Sequence, residues 1–119
     1  MKTILIDPIK KTIEMVEHTG GLDSIYGLLE CSTFEAPVSY DNGDAMYCDE
    51  EAWLNVSEEK LGGFIFPGWT YPILGKGLVV GSTDEGSDAD CKSDITSFQS
   101  IIWKDDAQMK KHGRMIGML

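Results

Sequence analysis

The stretch "TFEAPVSYDNGDAMYCDEE", residues 33–51, carries the strongest structural signal in the chain. Phe34, Ala36, Val38 and Tyr40 alternate with Glu35, Pro37 and Ser39, the period of a strand with one buried face. Asn42-Gly43 predicts a hairpin turn of type I′, whose two central positions both need positive φ. Ala45, Met46, Tyr47 and Cys48 then form the returning strand. Pro37 has no N–H to give to a ladder. Its strand is therefore expected at a sheet edge, or with its N–H side unpaired.

Working outward, "KTILID" and "TIEMVE" read as two further strands, joined through the Asp7-Pro8 turn into a hairpin. "LDSIYGLLEC" spaces Leu22, Ile25, Leu28 and Leu29 as a helix, although Gly27 costs about 1 kcal/mol there. "DEEAWLNVSEEK" is a short helix or loop, "GGFIFPG" a brief strand stopped by Pro67, and "WTYP" a loop. "GKGLVVGST" is a strand with Leu78, Val79 and Val80 as a buried run, and "DEGSDADCKS" an acidic loop. "SDITSFQSIIWK" predicts a C-terminal helix, capped by Ser93 or Asp94, with Ile95, Phe98, Ile101 and Ile102 on one face and Trp103 in the core. The expected fold is α+β: a mostly antiparallel sheet of five or six strands with two helices on one face. It forms one domain over residues 1–103, with 104–119 as a partly ordered tail.

The chain has 119 residues and a formal net charge of −10. That balance argues against direct contact with nucleic acid, which needs Lys and Arg on phosphates, and against anionic membranes. Three widely spaced cysteines, without a Cys-x-x-Cys, indicate neither a disulfide scaffold nor a zinc site and suit a reducing cytoplasm. No signal peptide or membrane span is expected.

The segments "IYGLLECSTFE", "NGDAMYCDEE", "GFIFPG" and "PILGKGLVVGSTDEG", in that order after "ILIDP", resemble a small domain of unknown function found in phage and other mobile-element genomes. The resemblance covers about residues 1–103. It implies a setting, a viral or plasmid gene product in the bacterial cytoplasm, and no activity.

Catalytic signatures are missing from the pattern. Lys76 is followed by Gly77 where a Walker A loop needs Ser or Thr, and Gly75, Gly77 and Gly81 miss the dinucleotide spacing. The residues after Gly77 read as a strand, where both motifs need a helix. No nucleophile elbow or EF-hand order is present. The chain is read as a non-enzyme without cofactor or metal.

Two binding readings remain. Nine acids and no Lys or Arg lie between Glu30 and Glu59. This single-sign stretch, with loop aromatics, suits a host protein with a basic surface. The residues expected to meet it are Asp44, Asp49, Glu50, Glu51, Trp53, Trp69 and Tyr71. Blocking a host defence or nucleic-acid enzyme is the natural use. The alternative is a small-molecule or nucleotide-sequestering protein, with Gly75, Lys76, Gly77, Thr83 and Asp84 and the nearby aromatics Trp69 and Tyr71 around the ligand. A monomer and a symmetric homodimer are both open.

Overall fold

The computed structural model describes residues 1–55, 62–66 and 72–115. In chain order the elements are β1 (Lys2–Asp7), β2 (Thr12–Glu17), α1 (Gly21–Leu29), β3 (Phe34–Ser39), β4 (Ala45–Asp49), α2 (Ala52–Asn55), β5 (Gly63–Ile65), β6 (Ile73–Leu74), β7 (Gly77–Ser82), β8 (Asp88–Ala89), a 3₁₀ turn (Ile95–Phe98), β9 (Ile102–Lys104) and α3 (Asp106–Met115). The protein is α+β, and its strand pairs are antiparallel.

Both expected hairpins form, at opposite ends of one sheet. Its order is β2-β1-β7-β4-β3, with β8 also pairing to β7. β7 is buried from Gly77 to Gly81. It reads as a continuous apolar run because both of its faces are covered. On one face, Ile25 and Leu29 of α1 pack with Leu78 and Val80. On the other, Ile4, Ile6, Met46 and Val79 meet Phe64, Phe66 and Phe98. Phe64 belongs to a second sheet, of order β6-β5-β9. Gly63 of β5 is closely enclosed, since an added Cβ would collide with the Ile73 carbonyl of β6 and lie 2.6 Å from Met109 Sδ of α3.

Pro37 lies on an edge strand, as its missing N–H requires. The β3–β4 register shifts between Glu35 and Val38. The shift splits the alternation seen in the sequence. Phe34 packs on the α1 side, with ring centroids 5.6 Å from Tyr26 and 5.0 Å from Tyr47, whereas Val38 and Tyr40 join the opposite core. The turn also differs from the expected type I′. Tyr40 N donates to Asp44 O at 2.8 Å and Gly43 N to Tyr40 O at 3.0 Å, which closes a three-residue loop. Gly43 has φ 94° and Asn42 is not among the residues of positive φ. The third loop residue carries the left-handed twist, leaving Asn42 in ordinary backbone.

The predicted C-terminal helix within 93–104 does not form. Asp94 accepts from Thr96 N at 2.8 Å and caps a single 3₁₀ turn. The chain then extends as β9, whose Ile102, Trp103 and Lys104 pair with Ile65, Phe64 and Gly63. The open edge of β5 supplies ladder bonds that a local helix pattern cannot anticipate, and Ile and Trp suit a strand. Phe98 and Ile101 are buried, but Ile102 is exposed. The segment expected as a partly ordered tail carries the end of β9 and the helix α3. Asp105 and Gln108 cap each other there: Asp105 N donates to Gln108 Oε1 at 2.9 Å, and Gln108 N to Asp105 Oδ1 at 2.7 Å. Met109 anchors the helix, fully buried with Leu74 and Ala52.

Candidate functional site

The acids of residues 33–51 separate into two kinds. Asp44 is 1% exposed. It accepts from Lys92 N at 3.0 Å and, through Oδ2, from Ser93 N at 2.8 Å and Ser93 Oγ at 2.7 Å. Burial works against its charge. The two N–H groups, the Ser93 hydroxyl and the Asn42 side chain outweigh that and hold the carboxyl below its ordinary range. Asp44 was expected at a partner surface, and instead it ties the β3–β4 turn to the 91–93 loop. Glu35, Asp41, Glu50 and Glu51 are exposed and Asp49 is half-buried. Among the described residues Glu35, Asp41 and Glu50 enter no ion pair. Asp49 Oδ1 accepts from Glu51 N at 2.9 Å and turns the chain into α2.

That turn places Trp53 beside the edge strand. Glu35 and Pro37 of β3, Cys48 and Asp49 of β4, Trp53 and Pro72 line one groove of about 170 Å³. Two carboxylates therefore stand over an apolar floor with an indole in its wall. The Cys48 thiol is pushed up to about 12, by burial first and then by the nearby charges of Glu35 and Asp49, so it is a neutral wall and not a nucleophile. Trp53 is held from behind by His112 of α3, with ring centroids 5.6 Å apart. Trp69 and Tyr71 lie outside the described residues.

The residues expected around a nucleotide are not brought together. Gly75, Lys76 and Gly77 lie at one end of β7, and Thr83 and Asp84 beyond the other. Six strand residues separate them by about 20 Å. Lys76 Nζ is 2.9 Å from Glu30 Oε1 and 3.9 Å from Asp7 Oδ2, so its charge is already answered. Gly75, at φ 82°, gives its N–H to Gly62 O at 2.9 Å. A Cβ on Gly77 would sit 2.8 Å from the Phe64 ring. One glycine turns the chain and the other admits a core phenylalanine. Thr83 closes a tight turn, its N–H donating to Ser87 O at 2.8 Å and its carbonyl accepting from Gly86 N at 2.9 Å.

Two arrangements escaped the sequence reading. His18 is 0% exposed. Its Nδ1 is 2.8 Å from Ser24 Oγ and its Nε2 2.8 Å from Asp88 Oδ2. The residue types match a hydrolase triad, but the imidazole is sealed, and Ser24 Oγ also accepts from Thr19 N at 3.1 Å. The ring bridges the start of α1 to β8, with each nitrogen satisfied, and is read as a structural clamp. The second arrangement is a cleft of about 380 Å³ that shares Pro72 with the groove and is lined by α3 and the second sheet. Among the described residues no group of three or more His, Cys, Asp or Glu is placed to hold a metal, and no helix is long and apolar enough to cross a membrane.

A family profile for a domain of unknown function, DUF3846, matches residues 1–102. The chain belongs to the DUF3846 family. The match spans both hairpins, the groove's edge strand and β7, and it stops within β9. Family membership therefore takes in Glu35, Asp49 and Trp53 and leaves α3 outside. No curated protein and no solved structure matches the chain significantly.

Proposed function

We propose that this DUF3846 protein is an interaction module that takes a basic side chain of a partner protein into the Glu35–Asp49–Trp53 groove. The observation carrying this reading is that two carboxylates and an indole line one groove whose volume, about 170 Å³, suits a single Arg or Lys side chain. A guanidinium stacks on an indole and pairs with carboxylates, and both interactions gain from a partly dry floor. Along the chain that supplies the groove the charge keeps one sign: Glu50 and Glu51 are exposed, and no Lys or Arg occurs between Glu30 and Glu59. Leu54, 73% exposed on α2 beside Trp53, adds an apolar contact of the kind found at interface centres. The sheet edge itself is a poor docking strand, because Pro37 and the register shift interrupt β3.

The setting is part of the proposal. A phage or mobile-element accessory protein in the bacterial cytoplasm would meet host defence and nucleic-acid enzymes, whose substrate channels are basic. An acidic module that fills such a channel antagonises the enzyme. Nucleotide sequestration at Gly75-Lys76-Gly77 draws no support from a lysine engaged by Glu30 and Asp7.

The test is capture from bacterial lysate at low salt, comparing the wild type with Glu35→Gln/Asp49→Asn. The pair of changes removes charge and keeps shape, and the new amide at position 49 retains an oxygen to accept from Glu51 N. The expected result is a basic partner released by salt and lost from the double variant. Equal capture by both proteins, with the same salt dependence, would refute the groove.

A further inference from the structure

The cleft across Pro72 has the opposite electrostatic character to the acidic groove. Four of the chain's ten Lys and Arg fall within residues 104–114. The geometry points to this cleft as a site for a small organic phosphate of mononucleotide size.

Lys104 at the end of β9 and Gln108, Lys111 and His112 of α3 line one cleft with Ile65 and Pro72. Among the described residues neither Lys104 nor Lys111 enters an ion pair. The flanking Asp106 is paired to Lys110 at 3.0 Å. Asp105 is turned to the helix start, where it caps Gln108 N. Gln108 accepts from Asp105 N through Oε1, which leaves its amide NH₂ as a further donor. His112 is steadied by Trp53. Two lysines, a glutamine and a histidine thus line one opening, and Ile65, Pro72 and Met109 give it an apolar wall.

This combination selects an amphipathic anion. The volume, about 380 Å³, lies in the usual range for small-molecule pockets. Polar donors beside an apolar wall are what a phosphate joined to a flat organic body requires. Inorganic phosphate alone would leave the apolar wall uncovered. A long polyanion would bring its remaining phosphates against a protein of net charge −10. The cleft shares Pro72 with the acidic groove and its His112 packs on Trp53, but it would take an anion through its own lysines and does not rest on the groove's function.

Adenosine 5′-monophosphate is the probe, followed by ¹H–¹⁵N correlation spectra of the full chain, with adenosine and inorganic phosphate as separate arms. Saturable shifts are expected at the amides of residues 104–112 and Ile65, with AMP binding more tightly than either half. Lys111 is exposed, so Lys111→Glu should leave the fold intact. It is expected to weaken AMP about tenfold, the effect of losing one charge-assisted contact. Lys2→Glu changes net charge equally at an exposed position on the far end of β1 and should leave binding unchanged. No saturable shift at about 10 mM AMP, well above a millimolar dissociation constant, overturns the site. So do shifts centred elsewhere, or equal weakening by the two variants.

Discussion

Replacing Asp44 should be among the most damaging single changes in this protein. Its carboxylate is the shared acceptor for two backbone N–H groups and one hydroxyl from Lys92 and Ser93. Asp44→Ala leaves those N–H groups without their acceptor in a site that is almost closed to water. Each stranded buried donor costs about 1–3 kcal/mol, and the Ser93 hydroxyl can turn away, so the loss should be about 3–5 kcal/mol. A domain of this size has about 5–15 kcal/mol in total, so the variant keeps its fold with little margin. Asp44→Asn keeps the shape and one acceptor oxygen, and should lose about half as much. Urea unfolding measures both, as a shift in midpoint at unchanged slope. The pH dependence separates charge from shape. The folded-state pKa of Asp44 is lowered, so its stabilisation is present above the unfolded value of about 3.9 and lost as pH falls through the folded value. The gap between wild type and Asp44→Asn should be constant at neutral pH and close on acidification below about pH 4. A gap that does not narrow at all as pH falls below about 4, or an Asp44→Ala loss under about 1 kcal/mol, would show that the carboxylate does not hold the loop as argued.

Two further outcomes are expected. His18→Leu removes the bridge between Ser24 and Asp88 and should cost about 2–3 kcal/mol in urea unfolding, while AMP and partner binding remain; a cost below about 0.5 kcal/mol would remove the clamp reading. In the native protein at mildly alkaline pH, iodoacetamide should alkylate Cys31 and Cys91 before Cys48, whose thiol is buried and pushed up to about 12, and denaturation should abolish the order; early labelling of Cys48 would mean that the groove floor opens.

Much of the architecture was legible because it rests on near neighbours. Alternation around Asn42-Gly43, the Asp7-Pro8 turn and the helical spacing of Ile25 and Leu29 each depend on residues a few positions apart. Pro37 marked an edge strand because a missing N–H is a property of the residue itself. The run Leu78-Val79-Val80 marked a buried strand. These signals were enough for an α+β protein on a mostly antiparallel sheet. Residues 93–104 show the limit. Their helical spacing was real, but β5 offered an unpaired edge, and ladder bonds with Gly63, Phe64 and Ile65 won over local periodicity.

The candidate site was legible only in composition. The sequence by itself determined that residues 30–59 are acidic and that Trp53 lies next to them. It could not tell a buried acid from an exposed one, because burial depends on partners far along the chain. Asp44 is consumed by Lys92 and Ser93, and Lys76 is neutralised by Glu30 and Asp7. Tertiary structure alone decided that Glu35, Asp49 and Trp53 share a groove, and that Lys104 and Lys111 line a cleft beside it. Electrostatic function depends on which charges are left unanswered after folding, and a linear sequence carries the charges without their pairing.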